Sequence, residues 1–311
     1  MPREKLLTRR VEGIVFDIMR YAIHDGPGVR TTIFMKGCPL QCWWCHNPEG
    51  ISSANDLAFF DYKCIGCKTC VTACPIKAIE FDASKPVIDR HNCIRCGVCA
   101  EVCPTGALKI IGRKISLEEL MSIIERDVIL YDISGGGVTF SGGEPLYQPL
   151  FLKEAVKECK NRKIHVALDT SGYASLDVFK SIVEYVDLFL YDLKILDESS
   201  HRKYTGVSND LIIKNLLYLV ENGRGKNIII RFPVIPDITD TDENLRKLLE
   251  FLRLLDGVKE VNLLPFHDVS EKYTRIGRKY LMPIHGAPSK ERLIYIKEII
   301  EKIGVRAKIG G

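Results

Sequence analysis

Inside this 311-residue chain lies a duplication. "CIGCKTCVTACP" carries Cys64, Cys67, Cys70 and Cys74, and "CIRCGVCAEVCP" carries Cys93, Cys96, Cys99 and Cys103, each displaced by 29 positions from its counterpart. Both copies read C-x2-C-x2-C-x3-C-P, the run in which the fourth cysteine of one copy ligates the other copy's 4Fe-4S cluster. The spacing therefore predicts one cluster on Cys64, Cys67, Cys70 and Cys103, and a second on Cys93, Cys96, Cys99 and Cys74. A pair of zinc ribbons would instead use two cysteine pairs around a longer spacer. Gly66 and Gly97 relax the tight ligand loops, and Pro75 and Pro104 end each run before a predicted short helical turn, "IKAIEF" and "TGALKI".

Setting residues 55–111 aside leaves a continuous βα alternation. Strand-like apolar runs occur at "VRTTIFMKG", "GGVTFSGG", "KIHVALDTSG", "VDLFLYDLK", "NIIIRFPVIP" and "KEVNLLPFH", separated by amphipathic stretches such as "SLEELMSIIERD" and "DENLRKLLEFLRLL". Six strands with intervening helices predict an α/β chain, a partial parallel (β/α)6 barrel with an inserted α+β domain holding two clusters. The expected boundaries are 1–54 for the first part of the barrel, 55–111 for the insert and 112–311 for the rest of the barrel. Chemistry in such barrels sits where strands end. The unusual polar motifs fall at that end: "SGGE" after the second strand, "DTSG" after the third, "DLK" after the fourth and "NLLPFH" closing the sixth.

After the first strand comes "KGCPLQCWWCHNPEG", with Cys38, Cys42 and Cys45 spaced C-x3-C-x2-C. Structural zinc and electron-transfer clusters take four protein ligands, whereas three leave a position open for a substrate or cofactor. The twelfth cysteine, Cys159 in "KECKNRK", belongs to no pattern and is expected to pack in the core.

Composition limits the setting. A 46% hydrophobic content fills a sizeable core, and a net charge of +4 with scattered Lys and Arg marks neither a nucleic-acid stripe nor a membrane patch. The opening "MPREKLLTRR" has no apolar signal region, and no run reaches the roughly 18 apolar residues of a membrane span. Twelve cysteines without an export signal point to metal or redox chemistry in the cytoplasm, where disulfides stay reduced.

Taken together, "DGPGVRTTIFMKGCPLQCWWCHNPEG", "GGGVTFSGGEP", "ALDTSG", "YDLK", "YTGVSN" and "LLPFH" resemble the glycyl-radical enzyme activating enzymes of the radical S-adenosylmethionine superfamily, over essentially the whole chain. The ferredoxin-like insert resembles the longer members of that family; the short formate-lyase activator type lacks it.

The resemblance implies that Cys38, Cys42 and Cys45 hold a catalytic 4Fe-4S cluster whose open iron is chelated by S-adenosylmethionine, making three clusters in all. It implies that the Trp44, Cys45 and His46 backbone lies against the adenosyl moiety, and that Gly142, Gly143 and Glu144 receive the methionine ammonium. Lys194 would meet the cofactor carboxylate, with Leu193 and Ile195 beside it. Asp169, Thr170 and Asp192 would help hold a monovalent cation, and His267 would stand beside the cofactor. Asp25, Gly26, Pro27, Gly28 and Arg30 are diagnostic of the activators, and the fixed turn they form is expected to help receive a partner's glycyl loop.

The implied activity is reductive cleavage of S-adenosylmethionine to a 5′-deoxyadenosyl radical, which takes hydrogen from a glycine of a partner glycyl-radical enzyme. A flavodoxin or ferredoxin type donor would supply the electron through the insert. The protein's part is orientation and exclusion of water. Two alternatives are a peptide-modifying enzyme of the same superfamily with auxiliary clusters, which usually follow the barrel, and a ferredoxin-type electron carrier, which leaves the barrel unexplained.

Overall fold

The computed structural model describes residues 11–283 and 286–310, so the "MPREKLLTRR" stretch lies outside them. Its first half contains the strands β1 (Glu12–Ala22), β2 (Arg30–Met35), β3 (Asp56–Phe59), β4 (Ile79–Asp82), β5 (Lys85–Ile88), β6 (Leu108–Ile111) and β7 (Arg113–Ser116). Then come β8 (Gly137–Gly142), β9 (Val166–Thr170), β10 (Leu188–Asp192), β11 (Ile228–Val234), β12 (Glu260–Pro265) and β13 (Arg306–Ile309). Nine of these build one sheet in the order β13-β12-β11-β10-β9-β8-β2-β1-β7.

The six apolar runs read from the sequence are β2, β8, β9, β10, β11 and β12, neighbours in chain order and parallel throughout. Three further strands extend the sheet. β13 adds a seventh parallel strand, while β1 pairs antiparallel with both β2 and β7. Parallel strands joined by helices are covered by those helices, which is why β8 is buried at nearly every residue. The helix at 117–125 buries Leu120, Met121 and Ile124, and the helix at 149–161 buries Phe151, Leu152, Ala155, Val156 and Cys159. Each buried Leu, Ile, Met, Val or Phe among them contributes about 1.5–3 kcal/mol. Cys159 is a packing residue, fully buried in this core. Ser116 and Thr241 start their helices by accepting from Glu119 N and Asn244 N.

Parallel strands bring all their carboxyl ends to one rim. Met35 pairs with Gly142, Tyr191 with Thr170, and Asp192 with Arg231. The cysteine loop after β2 therefore meets the segments that follow β8, β9, β10 and β11.

Between the cysteine loop and β7 the chain forms two small sheets apart from the main one. β3 and β6 pair antiparallel, Asp56 opposite Ile111, and β4 and β5 form a hairpin. Short helices at 69–73 and 98–101 lie within the cysteine runs, each entered through a left-handed residue, Lys68 at φ 61° and Gly97 at φ 91°. "IKAIEF" and "TGALKI", expected as helical turns, instead lead into β4 and β6. Their apolar residues alternate, burying Ile79 and Leu108 while Glu80 and Lys109 face out, and so short a segment does not repay helix nucleation.

Among the described residues no helix is long and apolar enough to cross a membrane.

Candidate active site

The loop after β2 is held from three sides. Gly37 N donates to Gly50 O at 2.8 Å and Cys38 N to Ile51 O at 3.0 Å, closing the loop on its own return. Gln41 N and Trp43 N donate to Thr205 O and Tyr204 O, at the end of the helix at 198–205. From the helix at 270–276, Tyr273 donates its hydroxyl to Cys45 O at 3.1 Å and Lys272 its ammonium to His46 O at 2.7 Å.

So held, Cys38, Cys42 and Cys45 line one cavity together with Trp44 and His46, Gly142 and Gly143, Asp169 and Thr170, and Asp192 and Lys194. Burial pushes all three thiols up, Cys42 to about 12, although Lys194 pulls Cys42 and Cys45 back. Left to themselves these thiols keep their protons. A bound metal centre is what converts such cysteines to thiolates.

Gly143 is a glycine because of this loop, and Gly142 because of β2 beside it. A Cβ on Gly143 would meet Gly37 O and Gly50 O at 2.4 Å each, and one on Gly142, at φ +112°, would meet Met35 N at 2.3 Å. The close approach expected of these glycines is therefore to the backbone of β2 and of the cysteine loop, while both still face the cavity.

Charge on the wall is balanced within the protein. Asp192 Oδ2 accepts from Lys194 Nζ at 2.6 Å, and Asp169 Oδ2 accepts from Ser141 Oγ at 2.7 Å and lies 3.1 Å from Arg231 Nη1. Burial raises Asp169 to about 6 against the pull of Arg231. Burial alone would lower Lys194, but Asp192 and Cys42 overturn that and hold it above its ordinary value. Two buried polar atoms on the wall, His46 Nε2 and Arg231 Nε, have no protein partner.

Several expected residues stand elsewhere. Glu144 is buried beneath the wall, Oε1 accepting from Thr170 Oγ1 at 2.6 Å and Leu146 N at 3.1 Å, Oε2 from Ser171 N and Ser171 Oγ at 2.8 and 2.5 Å. Its acceptor positions are filled, so it braces the loop after β9 and has none to spare for an ammonium. Leu193 and Ile195 point into core clusters, Ile195 against Trp44. His267 is exposed behind His46, their ring centroids 4.1 Å apart. Burial first, then His267 and Lys272, lower His46 to about 4.

The Asp25–Arg30 turn enters β2 at the opposite end from the cysteines. Arg30, expected to face a partner, is fully buried and donates to Thr139 Oγ1 at 2.6 Å, Val138 O at 2.6 Å and Pro27 O at 3.0 Å. It braces the turn. Gly28, at φ +68°, lies where a Cβ would meet Gly136 N at 2.5 Å. Asp25 turns inward: Oδ2 accepts from Thr32 Oγ1 at 2.7 Å, and its charge acts on both Asp169 and Arg231.

The remaining cysteines gather in two small cavities. Cys64, Cys67, Cys70 and Cys103 line one, and Cys74, Cys93, Cys96 and Cys99 the other, so the fourth cysteine of each run crosses to its sister's group.

Comparison with known proteins matches residues 32–252 to the radical SAM superfamily. Over 302 residues the chain is 44% identical to the trans-4-hydroxy-L-proline dehydratase activating enzyme of Clostridioides difficile, covering 96% of this chain and 99% of that one. The chain belongs to the radical SAM activating enzymes. A second activating enzyme, for choline trimethylamine-lyase in Oleidesulfovibrio alaskensis, is 40% identical over 89% of this chain and 91% of its own. Streptococcus suis SuiB, solved with its precursor peptide SuiA, shares the fold at a TM-score of 0.52 and 15% identity, covering 88% of this chain and 46% of that one. Membership of the radical SAM superfamily brings a 4Fe-4S cluster and S-adenosylmethionine with it.

The cavity is also lined by Arg231, which lies outside the quoted motifs, and by Ser141, Ser171 and Asn47, which lie within them but were assigned no role. Arg231 carried a legible signal. It is a lone charge inside "IIIRFPV", and a charge in a strand buried on both faces needs a partner.

Proposed function

We propose that this chain binds S-adenosylmethionine in the cavity at the strand ends, on a 4Fe-4S cluster held by Cys38, Cys42 and Cys45, and generates a glycyl radical on a partner enzyme. The observation that carries the reading is the convergence of three cysteines without a fourth on one cavity with paired acids and bases. The residues fit the group. Three soft donors suit iron–sulfur ligation, and the unpartnered His46 Nε2 and Arg231 Nε offer buried polar contacts to a polar cofactor. When bound, the cluster supplies the electron that cleaves S-adenosylmethionine to methionine and the 5′-deoxyadenosyl radical, which removes hydrogen from the partner's glycine.

The chain's own residues bind and orient. Lys194 is the cation for the cofactor carboxylate, and turning toward it releases Asp192. With Asp169 and Thr170, the freed Asp192 can then take a monovalent cation; without cofactor both carboxylates already have Lys194 and Arg231. Trp44, packed on Ile195, Ile235 and Phe266, walls the adenosyl side and keeps water out. Glu144 fixes Thr170 and Ser171. The inward-facing Asp25 marks the end of the barrel where the partner's glycyl loop enters.

Residues 55–111 are read as a ferredoxin-like domain with two further 4Fe-4S clusters, fed by a flavodoxin or ferredoxin type donor, between barrel portions 1–54 and 112–311. Each four-cysteine group surrounds a cavity of its own. The same cysteine usage supports a cytoplasmic setting.

The test is anaerobic reconstitution with iron and sulfide, followed by assay of 5′-deoxyadenosine and of the glycyl radical on a co-purified partner. Reductant-dependent formation of both is expected; neither forming in a fully loaded protein contradicts the reading.

A further inference from the structure

Two bridges cross from the insert to the loop that carries Cys38, Cys42 and Cys45, and both start at the same cysteine group. The first runs through β3. Leu57 lines the cavity of Cys74, Cys93, Cys96 and Cys99, and its neighbour Asp56 accepts from Lys36 Nζ at 2.9 Å, two residues before Cys38. Lys36 is fully buried and also donates to Glu49 O, in the return of the cysteine loop, at 2.6 Å.

The second runs through Arg90, three residues before Cys93. Its guanidinium donates to the Leu57 carbonyl and, at 3.2 Å, to the Arg275 carbonyl. Arg275 belongs to the helix at 270–276, whose Tyr273 and Lys272 hold the carbonyls of Cys45 and His46. Arg90 thus ties the strand that lines the inner cysteine cavity to the helix that holds the cysteine loop.

The other group lies farther out. Cys64, Cys67, Cys70 and Cys103 are walled by Phe59 at the far end of β3 and by Phe81 and Pro86 of the β4–β5 hairpin. β3 carries the chain about 10 Å from Asp56 to Phe59. The helix at 270–276 reaches this side through Arg275, stacked 5.1 Å over the Phe60 ring, a contact to a neighbouring ring and not to the cysteine cavity itself.

We propose that the two groups are not equivalent: Cys74, Cys93, Cys96 and Cys99 form the inner cluster site, held against the catalytic loop by Arg90 and by the Lys36–Asp56 pair, and Cys64, Cys67, Cys70 and Cys103 form the outer one. Half-buried Arg90 and fully buried Lys36 are positioning residues. They set how near the inner site stands to the loop. The inference rests on the reading that the insert holds two 4Fe-4S clusters and adds their order.

The test uses the full chain, reconstituted anaerobically and reduced with photoreduced deazaflavin. Electron paramagnetic resonance follows the relaxation and broadening of the signal from the Cys38–Cys42–Cys45 site, which respond to a neighbouring spin. Cys93→Ala with Cys96→Ala should remove about four irons and leave that signal narrow and slowly relaxing, like an isolated cluster. Cys64→Ala with Cys67→Ala should also remove about four irons yet keep the broadening. Arg90→Gln should retain full iron with weaker broadening. Cys96 and Cys67 are both exposed, and the matching serine doubles, checked by circular dichroism, separate cluster loss from misfolding. Broadening lost with the outer pair and kept with the inner, or affected equally by both, overturns the order while the three-cluster reading stands. A wild-type chain that takes up only about four irons overturns both.

Discussion

Arg231 on β11 reaches past β10 to bring its Nη1 within 3.1 Å of Asp169 Oδ2 on β9. The pair lies in the wall of the cysteine cavity, where burial lifts the Asp169 carboxyl to about 6. As pH falls through that value Asp169 takes up a proton, and Arg231 is left as an uncompensated positive charge facing a cofactor of net positive charge. Binding therefore favours deprotonated Asp169. S-adenosylmethionine affinity should drop about tenfold on going below pH 6, and Asp169→Asn should be weaker throughout and lose that dependence. Isothermal titration on either side of pH 6 measures it; a flat wild-type profile removes Asp169 from the binding site.

Lys194 and Asp192 hold each other at 2.6 Å above the cysteines. Replacing Lys194 with Ala removes the cation proposed for the cofactor carboxylate, and replacing Asp192 with Ala removes a carboxylate from the monovalent-cation site proposed beside it. A hydrogen bond to a charged group contributes about 1.5–3 kcal/mol, so affinity should fall roughly 10- to 100-fold with iron content unchanged. Wild-type affinity in both variants would place the cofactor elsewhere.

Glu144 accepts four hydrogen bonds in a fully buried position. Glu144→Ala strands Ser171 N and Leu146 N without acceptors, which should cost about 3 kcal/mol of stability. Glu144→Gln keeps the shape but turns donors toward donors, so it should recover only part of the loss. Denaturant unfolding of the metal-free protein reads both; an unchanged midpoint in the Ala variant would show that water replaces the carboxylate at no cost.

Gly143→Ala places a methyl 2.4 Å from the carbonyl oxygens of Gly37 and Gly50, both backbone atoms that cannot swing aside. The loop of Cys38 must shift. The expected result is loss of about four irons from the reconstituted protein, with the roughly eight assigned to the insert retained. Full iron loading would show that the loop tolerates displacement.

The parallel strands were legible because each is a near-continuous apolar run, as strands covered on both faces must be. β1, β7 and β13 were not. "EGIVFDIMRYA" mixes charges through an antiparallel strand with an exposed far end, and "RKIS" and "RAKI" are four-residue edge strands whose charges face outward. In the site, cysteine spacing and strand-end position located the cavity and most of its wall. What escaped was pairing across strands. Arg231 answers Asp169 from two strands away, and Glu144 is spent on Thr170 and Ser171, relations that depend on register and that no local motif records.

The proposed site of S-adenosylmethionine cleavage is the three-cysteine loop and not the insert. The most direct measurement compares 5′-deoxyadenosine formation by the reconstituted wild type with that of the Cys38→Ala, Cys42→Ala, Cys45→Ala triple variant under a strong small-molecule reductant. The triple variant should hold about four fewer irons, keep the insert's clusters, and form no 5′-deoxyadenosine. Cleavage surviving in that variant, with its iron loss verified, would place the chemistry outside the three-cysteine loop.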